Sequence, residues 1–217
     1  MENLLKKIQL VFMKFCFSFF VVLFLCKISF AEEVGYQYLV KTRGITIGEL
    51  TWDLFTNEEI YKLEITLKNK GVFSKIYSFD GKYSSSGTIL NKMLIPKTYK
   101  QIWITKKKKR EVNIKFDNSK IIKLVNTPKE KEGLRVNIDK LKKYSDPLTS
   151  FLSILLYNNP SLTIDGRRIY LLSPQKNNGT TKILIKDYKN LWADHKRNNL
   201  EYIEVFEDNK SLLPNKI

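Results

Sequence analysis

The sequence predicts a mainly β fold of the α+β class. It would be one curved antiparallel sheet or partly open barrel, with one amphipathic helix (about residues 146–157) against its concave face. Three observations support this prediction. Apolar and polar residues alternate with a period of two over most of the chain, only one segment has clear helical spacing, and no alternation of strands with helices appears.

Strands are predicted wherever the alternation persists. The clearest case runs from Tyr61 to Leu67, where apolar residues share one face and Lys62, Glu64 and Thr66 occupy the other. An earlier strand pair spans residues 36–54, with a bulge at Gly48. Further strands are predicted at 98–105, 110–117, 119–126, 167–173, 181–188 and 200–207.

Two turns follow from composition. The lysine-rich run KKKKR at 106–110 separates two apolar segments, and Asn178-Gly179 is typical of a tight hairpin. Residues 71–79 are ambiguous, and one interpretation is a short helical turn before a strand around Tyr83. Antiparallel hairpins therefore account for most connections in the chain.

The helix has both of its end signals. Asp146 can cap the first amide groups, and Pro147 suits the first helical position because its missing N–H costs nothing there. One apolar stripe follows at helical spacing, and residues 158–160 (NNP) end the helix. The stripe consists of Leu148, Phe151, Leu152, Leu155 and Leu156. A helix this short is marginal alone in water, so it must pack on an apolar surface.

Residues 1–31 have the order of a secretory signal peptide. Early lysines precede an uncharged run at 15–26, and Ser29-Phe30-Ala31 offers small residues before a cleavage site at Glu32. Export to the periplasm would leave 32–217 as a single β-rich domain. Both cysteines, Cys16 and Cys26, lie in the leader, so no disulfide is expected in that domain. An uncleaved anchor in the inner membrane is the alternative.

The chain is strongly basic, with a formal net charge of +16. Only six of its 38 basic residues are arginine, a composition that resembles codon bias more than a surface evolved to read phosphates. Export also argues against nucleic acid as a partner. Two interpretations stay open: the charge is incidental, or it attracts the protein peripherally to an anionic envelope surface.

Several segments together resemble a known family. They are TRGITIGELTW (42–52), FDGKYSSSG (79–87), LIPKTY (94–99), YSDPLTSFL (144–152), IDGRRIY (164–170) and LLP (212–214). They resemble the proteobacterial exported family catalogued as domain of unknown function 3108. The resemblance implies a β-rich, partly open barrel similar to the periplasmic lipoprotein carriers, with a helix against the sheet. It implies no activity and no catalytic residue. The sequence departs from the family after Leu213-Pro214, where the family continues with a strand.

The residues offer little for catalysis. His195 is the single histidine and lies in a polar stretch, and no Gly-x-Ser-x-Gly elbow surrounds the serines at 84–86. No Cys/His metal site or phosphate-cradling loop is predicted, and the acidic residues at 201, 204, 207 and 208 are expected on a solvated face. The sequence therefore predicts a protein that is not an enzyme, with no catalytic, cofactor-binding or metal-ligating residues.

Two classes of function remain. The first is a binding or carrier module of the cell envelope for an apolar ligand or a lipoprotein, held between sheet and helix. Its predicted apolar lining is Trp52, Leu63, Ile65 and Phe151. Arg167 and Arg168 are predicted to contact an anionic head group. The second class is a structural or assembly partner of another envelope protein, with a filled core under an ordinary core helix.

Overall fold

The fold is described from a computed structural model of the chain. It describes residues 32–42, 45–71, 74, 78–192, 200–206, 213, 214, 216 and 217. All of these belong to one compact unit, Ala31–Ile217. The predicted leader lies outside the described residues, as does most of the ambiguous segment between residues 71 and 79.

The first seven strands form one antiparallel sheet in which each strand pairs with the next along the chain. The strands are β1 (Glu32–Thr42), β2 (Ile45–Thr56), β3 (Ile60–Asn69), β4 (Phe79–Leu90), β5 (Met93–Thr105), β6 (Lys109–Asp117) and β7 (Lys120–Thr127). Two of the hairpin turns, Asn91-Lys92 and Asn118-Ser119, have positive φ at both residues. This conformation matches the twist of the strands it joins. The predicted bulge is present, because the register between β1 and β2 shifts next to Gly48.

The rest of the described chain forms a second sheet and one α-helix. The elements are β8 (Tyr144–Ser145), α1 (Pro147–Tyr157), β9 (Ser161–Ile164), β10 (Arg168–Asn177), β11 (Thr180–Asn190) and β12 (Tyr202–Phe206). The sheet order is β12-β11-β10-β9-β8, with β8 and β9 parallel and the other pairs antiparallel. A short 3-10 helix, Ile138–Lys140, precedes β8. Within the described ranges, no helix has both the length and the apolar character needed to cross a membrane.

The predicted mainly β class, with one helix, is confirmed, and the sheets do not close into a barrel. The predicted helix begins and ends where its caps indicated, with Asp146 as N-cap and Asn158 in the left-handed conformation after the last turn. The strands are divided between two sheets. The first sheet ends at β7, because the next residue, Pro128, has no backbone N–H to donate to a strand ladder. The next strand along the chain is β8, which pairs with β9 in the second sheet.

Helix α1 packs against both sheets. Leu148 and Leu152 belong to a large core cluster that also contains buried residues of the seven-stranded sheet, such as Trp52 and Leu63. The face of the sheet that carries these residues is called the inner face. Ile154 instead belongs to a second cluster, with residues of β10, β11 and β12. Thr149 and Ser150 are also buried, so the buried surface of the helix is wider than the single predicted stripe. A helix between two sheets has two faces to bury.

The N-terminus of α1 is held by a buried polar cluster. The Asp146 carboxylate accepts hydrogen bonds from the backbone amides of Leu148 and Thr149, both at 3.0 Å. It also accepts from the hydroxyl of Thr149 at 2.6 Å and that of Ser85 at 2.9 Å. The Tyr61 hydroxyl lies 2.7 Å from that of Thr149. The cluster therefore ties the helix to β3 and β4.

Candidate ligand-binding site

The four residues predicted to line an apolar cavity come together in the structure. Trp52 and Leu63 are 2% and 0% exposed, while Ile65 and Phe151 are partly buried. All four belong to the large core cluster, and the rings of Trp52 and Phe151 lie 5.4 Å apart between centroids. None of them lines either of the two pockets described below, and their role as a ligand lining stays a prediction.

The first pocket has a volume of about 480 Å³ and is called the basic pocket. It is lined by Gln101, Trp103, Thr105, Lys107, Lys108, Arg110, Val112, Asp165, Arg167 and Arg168. Five of these residues are cationic and one is acidic. Both arginines predicted to contact an anionic head group are therefore in it, together with cations from the KKKKR turn.

The β5–β6 hairpin supplies one wall of the basic pocket. Trp103 is paired with Arg110, and Gln101 with Val112, so these four side chains share one face of the sheet. That face is the inner one, because Val112 is buried in the core. The hairpin turn is closed by a hydrogen bond from the amide of Thr105 to the carbonyl of Lys108, 2.8 Å long.

The other wall comes from the turn between β9 and β10. The Asp165 carboxylate accepts hydrogen bonds from the backbone amides of Arg167 at 2.8 Å and Arg168 at 2.7 Å, which shapes the turn. Gly166 has a φ of +88°, and a Cβ atom there would lie 2.2 Å from the Val112 side chain. Only glycine lets this turn approach β6 so closely.

The two arginines are held in place by different partners. Arg167 forms an ion pair with Glu130 at 2.5 Å. Arg168 donates a hydrogen bond to the Tyr188 hydroxyl, and its guanidinium lies 5.3 Å from the centre of the Tyr188 ring. Burial raises the pKa of Asp165, against the lowering effect of its amide hydrogen bonds and of the two guanidinium groups.

The remaining three cations of the basic pocket are less constrained. Lys107, Lys108 and Arg110 are exposed, and none of them has an ion pair with any residue that the structure describes. An anion in the pocket would therefore meet two oriented guanidinium groups and three cations available for pairing. This arrangement suits a phosphate or a carboxylate.

The second pocket has a volume of about 310 Å³ and is called the apolar pocket. It is lined by Val40, Ile47, Gly48, Leu67, Lys68, Asn69 and Phe79. These residues come from the ends of four strands, β1 to β4. No pattern in the sequence predicted this pocket. The alternation placed most of these residues in strands, but only the register between strands brings their ends together.

Other residues singled out in the sequence have different outcomes. Ser85 is buried in the polar cluster under α1, a role that the sequence analysis did not foresee. Glu201 and Glu204 are exposed. His195 and the acidic residues at 207 and 208 lie outside the described residues. In the part of the chain that the structure describes, no group of three or more His, Cys, Asp or Glu side chains could hold a metal ion.

A substitution at the turn tests the geometry of the basic pocket. We expect Gly166→Ala to lower the free energy of unfolding by about 2–4 kcal/mol, because a Cβ there would meet Val112 and strain a left-handed backbone. Urea denaturation measures the change. Gly179→Ala is the matched control, since Gly179 also has positive φ but its Cβ would meet no atom within 4 Å. A loss no larger than that of the control would contradict the close packing described.

The comparisons with known proteins give one match. The family model described as "Protein of unknown function (DUF3108)" matches residues 37–185, about two thirds of the chain. The matched residues include β2 to β7, α1 and the turn that carries Arg167 and Arg168. No curated protein matches the chain, and no solved structure does. The resemblance seen in the sequence is confirmed, and the chain belongs to the DUF3108 family.

Proposed function

We propose that this protein is a binding or carrier module of the cell envelope whose ligand is an amphiphile with an anionic head group. The observation that carries the proposal is the basic pocket. It joins Arg167 and Arg168 to the cations of the KKKKR turn in a space of about 480 Å³. That volume lies within the range of roughly 300–1,000 Å³ for small-molecule sites.

The composition of the pocket favours an amphiphile over a small inorganic anion. Trp103 is 41% exposed and Val112 forms an apolar floor beside the cations. A large aromatic surface next to cationic side chains offers burial to a hydrocarbon group while the charged groups pair with its head. A fully hydrated inorganic anion would gain only the ionic part of this interaction.

The compartment is part of the proposal. The lysine-rich start, the uncharged run at 15–26 and the small residues before Glu32 support export, with the protein working in the periplasm. The envelope also supplies anionic amphiphiles. The proposed role is binding, with no covalent step assigned to any residue.

The binding position differs from the cavity that the sequence analysis predicted under the helix. Trp52, Leu63 and Leu152 are almost fully buried, which supports packed side chains there in preference to a ligand. The basic pocket instead lies where the β5–β6 hairpin faces the turn between β9 and β10. The helix therefore serves the proposed function by holding the two sheets together.

Charge substitutions in the KKKKR turn test the proposal. We expect the double variant Lys107→Gln/Lys108→Gln to weaken binding of decyl phosphate about tenfold, because two exposed ionic contacts are each worth about 0.2–1 kcal/mol. Isothermal titration calorimetry on protein purified from cells that express the full chain measures the affinity. Decyl phosphate is kept below its micellar concentration.

The same turn provides the matched control. Lys106→Gln/Lys109→Gln removes the same two charges from neighbouring positions that do not line the pocket, and we expect a change of less than about threefold. Two further compounds separate the contributions to binding. Decyl trimethylammonium keeps the hydrocarbon chain but carries a cationic head group, and inorganic phosphate keeps the anionic group but has no chain. The proposal would be refuted if the two double variants lost the same affinity for decyl phosphate. It would also be refuted if the unmodified protein bound decyl trimethylammonium as tightly as decyl phosphate.

An assembly role is the second candidate. Among the described strands, β1 is an edge of the seven-stranded sheet and is 11 residues long, so another strand could add to it. Leu39 on this strand is 55% exposed. Native mass spectrometry of protein purified from the envelope separates the two candidates. A co-purified lipid supports the carrier, and a stoichiometric protein partner supports assembly.

A further inference from the structure

The two pockets lie on the same face of the seven-stranded sheet and at the same end of it. In an antiparallel ladder, directly paired residues point to one face, and so do residues two apart along a strand. By these two relations, a continuous series of residues from the apolar pocket to the basic pocket lies on one face of the sheet. The series is Val40, Gly48, Asn69, Leu67, Gly81, Trp103 and Arg110. This is the inner face, because Val112 and Leu63 lie on it and are buried.

One aromatic pair links the linings of the two pockets. Phe79 lines the apolar pocket and Trp103 lines the basic pocket. Their ring centroids are 5.1 Å apart and the rings are nearly perpendicular, at 88°. An edge-to-face contact of this kind is worth only about 0.5–1.5 kcal/mol beyond area burial, so a ligand that replaces it with its own contacts can part the rings at small cost.

We infer that the two pockets are the two halves of one site, in which the head group of an anionic amphiphile occupies the basic pocket and its unbranched hydrocarbon chain passes the Phe79–Trp103 pair into the apolar pocket. This inference rests on the proposed function and assigns the place of the chain. Charge fixes the orientation: the basic pocket holds five cations, whereas the apolar pocket has one, Lys68, which is exposed.

The inner face beneath α1 is closely packed at four described residues. Beneath α1, the sheet contributes Trp52, Leu54 and Leu63, each no more than 2% exposed. On the helix, Leu152 is 0% exposed. A hydrocarbon chain could enter there only by displacing packed side chains, whereas the apolar pocket already provides about 310 Å³.

The dependence of affinity on chain length tests this assignment. In the unmodified protein, each methylene added between butyl and decyl phosphate should tighten binding, by up to about fourfold where it is fully buried. Val40→Phe fills the apolar pocket from the edge strand β1. We expect it to leave the affinity for butyl phosphate within about twofold and to weaken decyl phosphate at least about tenfold.

A second variant and a control keep the test decisive. Leu67→Phe fills the same pocket from β3, so the assignment does not depend on Val40→Phe folding normally. Val125→Phe is the control, because Val125 is 38% exposed on the edge strand β7 and lines neither pocket. Thermal denaturation verifies that each variant is folded.

The outcomes separate this inference from the proposed function. The inference is supported if affinity depends less on alkyl chain length in both pocket-filling variants than in the unmodified protein, while Val125→Phe keeps the original dependence. The inference is overturned if both variants keep the original dependence of affinity on chain length, even if Lys107 and Lys108 still control the affinity for decyl phosphate. Equal weakening of butyl and decyl phosphate also overturns it, because the chain would then have no separate place in the apolar pocket.

Discussion

Replacing Asp146 by alanine should lower the free energy of unfolding by about 2–6 kcal/mol. The substitution removes the N-cap of α1 and leaves two buried backbone donors, the amides of Leu148 and Thr149, without an acceptor at about 1–3 kcal/mol each. The hydroxyls of Thr149 and Ser85 also lose an acceptor, but they lie 2.9 Å from each other, so one can still donate to the other. Urea denaturation followed by far-UV circular dichroism measures the loss.

The 3-10 helix provides a control for burial. Asn137 caps it by accepting a hydrogen bond from the amide of Asp139 at 2.9 Å, but this contact is exposed. Asn137→Ala should therefore cost less than about 1 kcal/mol, because water can replace the lost acceptor. Similar losses in the two variants would mean that the polar cluster under α1 contributes no more than an ordinary exposed cap.

The Asp146 carboxyl group also predicts how the free energy of unfolding depends on pH. Burial raises the pKa of Asp146, although hydrogen bonds from Thr149, Ser85 and Leu148 lower it in part. The native state therefore keeps this proton to higher pH than the unfolded chain does. The stability contributed by Asp146 is full below its unfolded pKa and falls as pH rises through its folded pKa. The difference in unfolding free energy between the unmodified protein and Asp146→Asn should decline over that window.

Truncating Leu152 should have an effect of similar size. Leu152 is 0% exposed and belongs to the large core cluster, so Leu152→Ala should lower the free energy of unfolding by about 2–5 kcal/mol. The cost combines lost apolar burial with the cavity left behind. Denaturation midpoints in urea, at an unchanged slope, measure it.

Ser153 is the matched position on the same helix. It lies next to Leu152 in sequence but is only partly buried and belongs to neither core cluster, so Ser153→Ala should change stability by no more than about 0.5 kcal/mol. Equal midpoints for the two variants would contradict the packing of α1 by the face that carries Leu152.

Local patterns predicted most of the secondary structure. The strand from Tyr61 to Leu67 and the helix capped by Asp146 follow from alternation and from cap residues within a few positions. Both signals act over short distances, so the sequence alone contains them. A turn was predicted at 106–110 in the same way, from a run of charges between two apolar segments. The turn is shorter, because Lys109 and Arg110 already pair with β5 as part of β6.

Features that depend on distant pairing could not be predicted in this way. Burial of Ile154 on a second sheet requires knowing that β10 to β12 pack on the helix. Lys107 and Arg168 are far apart in the sequence, and only the approach of Gly166 to Val112 brings their segments to one pocket. The apolar pocket depends on the register of four strands, which alternation does not specify.

A crystal structure of the protein with decyl phosphate tests the central claim most directly. We expect the phosphate among Lys107, Lys108 and Arg168 in the basic pocket, and the alkyl chain beyond the Phe79–Trp103 pair in the apolar pocket. A phosphate bound anywhere outside the basic pocket, or a chain inserted between α1 and Trp52, would contradict the account.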